Sequence, residues 1–385
     1  MIKPDFIICH YGEIALKKGN RWFFEKVLLE NIKKSLSVDE YQFLKRIPGR
    51  IIIKLGQKAD EEKITEKLKK VFGLEDFSFA FSGERNIKSL KNLTLKVLKE
   101  KNFDSFSVRT KRGDKSFPLT SQEVNQELGK YILDEIGSQV NLEKPNLTCF
   151  IEIVEDYVFL YFEKISGLGG LPVGSNGKVV SLLSGGIDSP VASFYIMSRG
   201  LKVVHLHCYT DIKEKTTLEK SEKIAKRLKA YQGQSRLYLV PFLDIQKEIF
   251  KKIKPVLTCV VCRRLMLKIG EEVAKEEGAE GLVTGENIGQ VASQTLPNIM
   301  VSESAVSLPV LKPLIAFSKK GIIEQSKKIG LFQVSILKDN FYCRNLISKH
   351  PETRANLDFV KKEEEKIDFQ RLIKKALTNK IIKEI

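Results

Sequence analysis

Residues 179–190 read Val-Val-Ser-Leu-Leu-Ser-Gly-Gly-Ile-Asp-Ser-Pro, and this stretch decides the fold of the second half of the chain. A five-residue apolar strand runs into two glycines, and a helical pattern opens directly behind them. Glycines at such a junction let backbone N–H groups gather around an anion. Ser189 suits a helix cap and Pro190 suits a first helical turn, so a phosphate would face the positive end of the helix. An ordinary tight strand-to-helix turn has the same outline. Downstream, short apolar strands alternate with amphipathic helices: Val203 to Leu206, helix 217–230, Leu237 to Val240, helices 244–253 and 261–277, then Gly281 to Thr284. That alternation predicts a doubly wound parallel sheet covered on both faces, with its ligand at the carboxyl ends of the strands. The tail after Phe359 is charged and helical in pattern.

Upstream lies Gly-Leu-Gly-Gly-Leu-Pro-Val-Gly-Ser-Asn-Gly-Lys, residues 167–178, whose glycines and proline mark a linker. It is not a Walker A loop, because Pro172 stands where the first glycine belongs and Val179 follows the lysine. Ahead of the linker, residues 61–166 carry helical patterns at Glu61 to Val71, Ile87 to Lys99 and Ser121 to Ile136. Strands are expected at Phe77 to Phe81, Phe106 to Thr110, Thr148 to Val154 and Tyr157 to Phe162. Residues 1–60 alternate strand, helix, strand, strand around the turn Pro48-Gly49, which suits a small ferredoxin-like α+β unit. The expected organisation is therefore 1–60, 61–166, a linker at 167–177, and an α/β domain at 178–385.

An apolar content of 42% over 385 residues is enough for a separate core in each of these parts. No run approaches the roughly 18–20 apolar residues that cross a bilayer, and the start, MIKPDFIICHYGE, lacks the regions of a signal peptide. A cytoplasmic chain with no membrane partner is expected. Six dispersed cysteines do not make a disulfide framework. The formal charge of +17 points to a polyanion, with nucleic acid favoured over a lysine-rich composition that serves only solubility. Lys and Arg outnumber Asp and Glu by 12 to 7 in residues 1–60 and by 36 to 23 in residues 166–385, but stand at 17 to 18 in residues 61–165. Any RNA contact in that middle part must rest on a local cluster. Arg109-Thr110-Lys111-Arg112, ahead of Ser121, Gln122 and Asn125, is such a cluster. Lys17, Lys18 and Arg21, with Arg46 and Arg50, could extend it or be simply solvated. Trp22 and Phe23 read as core or domain contacts rather than base-stacking groups.

The segment Ser184-Gly185-Gly186-Ile187-Asp188-Ser189 resembles the pyrophosphate-binding loop of the N-type ATP pyrophosphatases. Gly285-Glu286-Asn287 through Gln294-Thr295 resembles a second signature, that of the 4-thiouridine tRNA sulfurtransferases, the ThiI family. Leu308 to Ile315 (LPVLKPLI) with a following helix and Cys343 in Tyr-Cys-Arg-Asn-Leu-Ile-Ser are further matches. In that family a ferredoxin-like domain and an RNA-binding THUMP domain precede the PP-loop pyrophosphatase domain, the order expected above. The resemblance implies that Leu182, Leu183, His207, Cys208, Arg264, Gly285 and Gln294 line an ATP site. Ser184, Gly185, Gly186 and Ser189 would hold pyrophosphate, and Asp188 would organise Mg²⁺ and the phosphates. The Arg109 cluster resembles the RNA-facing part of THUMP domains.

The implied reaction is adenylation of uracil O4 at uridine 8 of tRNA, then displacement of AMP by a sulfur nucleophile at Cys343 to leave 4-thiouridine. A further sulfur-transfer role in making the thiazole of thiamine is also implied. Many members carry a rhodanese-like domain for sulfur delivery, and this sequence matches the form lacking it. Cys259-Val260-Val261-Cys262 then stands out. With Cys343 it offers three thiolates, enough for an iron-sulfur cluster with one open iron, for a sulfur relay, or for a resolving disulfide; a purely structural pair is the plain alternative. A cysteine desulfurase is the implied sulfur donor, and a homodimer binding tRNA in trans is consistent with the layout. The other readings are a different adenylating PP-loop ligase and a non-catalytic RNA-binding protein.

Overall fold

The computed structural model describes residues 2–210, 215–337, 348 and 350–385. The chain divides into two compact units, one ending at Pro172 and the other spanning Val173–Ile385. Within each, the elements follow the periodicity of the sequence closely.

In the first unit the strands are β1 (Phe6–His10), β2 (Tyr41–Ile47), β3 (Arg50–Leu55), β4 (Asp76–Gly83), β5 (Ser105–Arg112), β6 (Gln139–Val140), β7 (Leu147–Val154), β8 (Tyr157–Tyr161) and β9 (Ile165–Ser166). Among the described residues they form one sheet in the order β2-β3-β1-β4-β8-β7-β5-β6, with β9 also paired to β4. Strand β4 joins the segment expected to be ferredoxin-like to the one expected to be THUMP, because it pairs with β1 on one side and β8 on the other. The uninterrupted apolar run Phe-Ile-Ile-Cys of β1 follows from its place. Ile7 and Cys9 pack with Leu28 and Ile32 on one face, while Phe6 and Ile8 pack with Phe159 and Tyr161 on the other.

A buried polar joint crosses this sheet. His10 on β1 places Nδ1 2.7 Å from Asp76 and Nε2 2.8 Å from Glu152, and Arg50 and the Tyr161 hydroxyl complete the shell of Glu152 at 2.6 and 2.8 Å. Two carboxylate partners require an imidazolium that donates both N–H groups. Burial acts to lower the His10 pKa, but the hydrogen bonds and charges of Asp76 and Glu152 outweigh it, and the value rises above that of an ordinary histidine. Burial likewise acts to raise Glu152, yet His10, Arg50 and Tyr161 hold it down at about 2. By linkage the His10 contribution is complete below an unfolded-state pKa of about 6.5 and fades as pH rises through the raised folded value. The Glu152 contribution is complete above about 4.5 and fades as pH falls toward 2. The joint is thus strongest between those limits. His10→Gln is expected to flatten the loss of stability above pH ~6.5, read as the urea midpoint at successive pH values; an unchanged wild-type slope in the variant would contradict the assignment.

The second unit contains β10 (Lys178–Leu182), β11 (Lys202–Tyr209), β12 (Arg236–Pro241), β13 (Leu282–Val283), β14 (Val310–Leu311) and β15 (Ile381–Glu384). Their order is β14-β13-β10-β11-β12-β15. The first five are parallel, as expected, and β15 runs antiparallel to β12. From β10 the chain winds outward through β11 and β12, then returns to place β13 on the opposite side of β10. That reversal opens a crevice at the carboxyl ends of β10 and β13. Helices Asp188–Ser198, Lys215–Gln232, Leu243–Lys252 and Thr258–Glu277 cover the sheet. The last begins three residues earlier than its periodicity suggests, because the turn Pro255–Leu257 feeds directly into it and takes Cys259 and Cys262 into the helix. The tail forms the expected helices, Leu357–Glu364 and Phe369–Thr378, but ends as an edge strand. There Arg236 on β12 meets Glu384 at 2.7 Å.

Candidate active site

The crevice holds a cavity of about 340 Å³. Its walls come from the β10 loop (Leu182, Leu183, Ser184, Asp188, Ser189), from the end of β11 (Leu206 to Thr210), and from Thr284, Gly285, Glu286 and Gln294 after β13. Thr217, Gln246, Arg263, Met266 and Leu267 close it from the surrounding helices. Apolar walls beside a polar loop suit a flat heterocycle carrying phosphates.

The loop is tied to itself. Ser189 does not cap its helix; its hydroxyl lies 2.7 Å from the Ser184 N–H and 2.9 Å from the Ser184 hydroxyl. The helix Asp188–Ser198 begins with no side-chain cap, so its first N–H groups face the loop side without a capping acceptor. Gly185 and Gly186 take no left-handed φ, so the loop is not the alternating-hand nest that glycine would permit; neither glycine is among the residues lining the cavity. Asp188 reaches Lys319 at 2.6 Å and Gln290 at 3.1 Å. Lys319 starts the helix Lys319–Lys328, behind the LPVLKPLI segment, and brings a cation to the loop.

Gly285 is a steric requirement. A Cβ there would lie 2.6 Å from the Ser189 nitrogen and 2.8 Å from its Cα. Gly285→Ala must therefore displace the loop from β13, and an overpacking cost of about 1–3 kcal/mol, if it falls on the nucleotide-binding geometry, predicts an ATP affinity lowered about 5- to 150-fold. Equilibrium ATP binding checks this, with circular dichroism to confirm the fold; wild-type affinity in the variant would contradict it.

His207 is buried and donates from Nδ1 to the Leu183 carbonyl at 2.8 Å, which fixes the end of β10. Burial pushes the Cys208 thiol up to about 12, so it lines the cavity as a neutral group. Arg264, expected in the ATP site, is not in the wall. It is buried beneath it, paired with Glu364 at 2.7 Å and bonded to the Val301 carbonyl and the Ser304 hydroxyl. Arg263 faces the cavity instead, since adjacent helical residues point about 100° apart. It forms an ion pair with buried Glu286, and burial holds its guanidinium down at about 10. Lys312 approaches Glu286 at 3.9 Å and also pairs with Glu303. The sequence reading missed Arg263 and Lys319 and assigned no role to Glu286. The available signals were Glu286 beside Gly285 in the quoted segment and the helix start after LPVLKPLI.

Cys259 and Cys262 lie half-buried near the start of the helix Thr258–Glu277, three residues apart and so on neighbouring positions of one side. The Cys259 sulfur is close enough to Arg263 to act on it electrostatically. Cys343 lies outside the described residues. Among the described residues, no group of three or more His, Cys, Asp or Glu is placed to hold a metal ion, and no helix is long and apolar enough to cross a membrane.

In the first unit, Arg109 and Lys111 sit two apart on β5 and are exposed on the same face. Arg112 turns the other way and donates to the Phe117 and Leu119 carbonyls at 3.1 and 3.0 Å, so it shapes the loop after β5. Asn125 accepts the Thr110 N–H at 2.9 Å, which docks the helix Ser121–Ile136 on that strand. Ser121 opens this helix behind the Thr120–Glu123 capping box, and Gln122 is exposed. Nearer the start of the chain, Lys18 is exposed, Lys17 lies over the Phe24 ring and Arg21 is held by Glu25 and Tyr11. Arg46 also pairs with Glu25. Trp22, expected in a core or contact, is 57% exposed because its helix turns only Phe24, Glu25, Leu28 and Ile32 fully inward.

Three family models match the chain in sequence: a ThiI ferredoxin-like domain over residues 6–78, a THUMP domain over 84–163, and the thiamine biosynthesis protein ThiI over 174–369. A probable tRNA sulfurtransferase of Thermoanaerobacter pseudethanolicus is 39% identical over 374 residues, covering 96% of this chain and 97% of that protein. One from Staphylococcus aureus is 35% identical, covering 98% and 94%. The crystal structure of a 4-thiouridine synthetase–RNA complex with bound ATP superposes with a TM-score of 0.89 at 33% identity, covering all of both chains.

Proposed function

The chain belongs to the ThiI family, and we propose that it is an ATP-dependent tRNA sulfurtransferase that converts uridine 8 of tRNA to 4-thiouridine. The observation that carries the reading is the cavity at the reversal point of the parallel sheet, where an uncapped helix start, Asp188 and Lys319 meet beside an apolar pocket. Uracil O4 attacks the α-phosphorus of ATP, the α–β phosphoanhydride breaks, pyrophosphate leaves and the N3 proton is lost. A sulfur nucleophile then attacks C4 and AMP departs. In this scheme Leu182, Leu183, Leu206 and Cys208 hold the base, while Ser184, Ser189 and the N–H groups after them hold phosphate. Lys319 and Arg263 oppose the charge that develops on the leaving groups. His207 and Gly285 keep strand and loop in register, and Gln294 closes the far wall.

Asp188 would hold Mg²⁺ together with the ATP phosphates, since it is the carboxylate that faces this loop. When bound, the ion neutralises charge on the departing pyrophosphate. Cys259 and Cys262, with Cys343, would hold an iron-sulfur cluster, a group that would supply sulfide for the transfer. The same thiols also suit a persulfide relay.

We assign tRNA recognition to the first unit, with Arg109, Lys111 and Gln122 on the RNA, and treat residues 1–60 and 61–166 as its ferredoxin-like and THUMP parts. We place the reaction in the cytoplasm, with a cysteine desulfurase as sulfur source and a homodimer as the working form. The family's description supports an added role in thiamine synthesis. Incubating the protein with ATP, sulfide and unmodified tRNA is expected to yield thiouridine with one AMP and one pyrophosphate each. In the same assay, Arg109→Ala with Lys111→Ala should weaken tRNA binding and reduce the slope of log K against log salt by about 1.8, since each phosphate contact contributes about 0.9. ATP turnover without thiouridine would point to another adenylating ligase, and an unchanged salt slope would move the RNA site elsewhere.

A further inference from the structure

Trp22 is the single tryptophan of the chain. An indole of this size is ordinarily well buried in a folded protein, but Trp22 is largely in solvent. Its ring belongs to a short aromatic series. Its ring meets Phe23 edge to face at 6.2 Å, Phe23 meets Phe24 in the same way at 5.5 Å, and Phe24 is buried in the core beside Leu28 and Ile32. The three aromatics form a ladder whose foot is fixed and whose last rung projects outward.

The surroundings are cationic. Lys17 holds its ammonium 5.1 Å from the Phe24 ring, and Lys18 and Lys26 are exposed. Lys18 keeps a φ of 37°, a conformation that non-glycine residues seldom adopt, at a kink inside the 3-10 segment Glu13–Asn20, just ahead of the helix Arg21–Ser35. No acidic residue stands in the first turn of that helix. The carboxylate that follows, Glu25, is buried and already paired with Arg21 and Arg46. An exposed aromatic with exposed lysines four residues before and after it, and with the carboxylate of Glu25 buried and paired, is complementary to a polyanion bearing flat apolar groups.

Resting on the tRNA reading above, we propose that Trp22 is a stacking platform for an unpaired nucleotide of the bound tRNA, with Lys17 and Lys18 on the adjoining phosphates. The nucleotide must be unpaired or terminal, because the base faces inside a duplex are already covered by their neighbours.

The single indole makes the test direct. Full-length protein titrated with an unmodified tRNA transcript, followed by intrinsic fluorescence and in parallel by filter binding, is expected to lose most of its emission as the sites fill. A blunt-ended RNA duplex should bind with little quenching. Trp22→Ala should weaken tRNA binding about tenfold, the scale of one base–aromatic stack, and Trp22→Phe should restore most of it. Filter binding without quenching, equal quenching by the blunt duplex, or an unchanged dissociation constant in folded Trp22→Ala would overturn the stacking role alone. Absence of any tRNA binding by the wild type would overturn the tRNA reading and this inference with it.

Discussion

Asp188→Asn is expected to abolish AMP release from ATP, with kcat falling roughly 10²- to 10³-fold, the range for removing one electrostatic partner of a developing charge. The substitution keeps the shape of the side chain and removes the charge that meets Lys319 at 2.6 Å. The side chain is partly exposed at the cavity wall, so the fold should tolerate the change. Transfer RNA affinity should stay near wild type, because in the proposed scheme the loop serves the nucleotide phosphates while Arg109 and Lys111 lie on β5 in the other unit. AMP and pyrophosphate formation, measured beside filter binding, decide the matter. A folded variant that loses tRNA binding and ATP turnover together would refute this division of labour, and wild-type turnover would remove Asp188 from the phosphate site.

Replacing both Cys259 and Cys262 with alanine is expected to eliminate thiouridine formation while AMP and pyrophosphate still appear. The two thiols share one side of the helix start, next to Arg263 in the cavity wall, so on the proposed reading sulfur held there would lie beside the cavity. In the proposed scheme adenylation uses the β10 loop, Asp188 and Lys319, none of which the substitutions touch. Anaerobically prepared wild-type protein should contain iron and acid-labile sulfide if the thiols carry a cluster, and the double variant should contain neither. Thiolation at the wild-type rate by the double variant would return the pair to a packing role. Full activity in metal-free wild-type protein would leave the persulfide relay.

Most of the fold was readable because its signals are local. The run VVSLL before Ser184 lies largely in β10, and the helix expected directly behind the glycines formed at Asp188–Ser198. Of the residues the motif resemblance named, the cavity gathered Leu182, Leu183, Ser184, Asp188, Ser189, His207, Cys208, Gly285 and Gln294, but not Gly185, Gly186 or Arg264. The failures came where two residues of similar chemistry stand side by side or where a role depends on a distant partner. Arg263 and Arg264 are both cations on one helix, and nothing in their order says which faces the cavity. Ser189 looks like a cap by position, yet it lies inside the helix that starts at Asp188, and its hydroxyl accepts the Ser184 N–H at 2.7 Å instead. The last residues read as a continued helix until β12 offered an unpaired edge for them.

The sequence by itself determined the strand–loop–helix at 179–190, the alternation that makes a parallel sheet, and the order of the parts, because hydrophobic period and turn chemistry act over a few residues. Only the tertiary structure decided that Lys319, 131 residues beyond Asp188, would face it. It alone buried Arg264 against Glu364 and left Trp22 in solvent. A side chain's neighbours across the fold depend on how sheets and helices pack, and a rotation of about 100° per helical residue turns a one-place difference in sequence into a different face of the molecule.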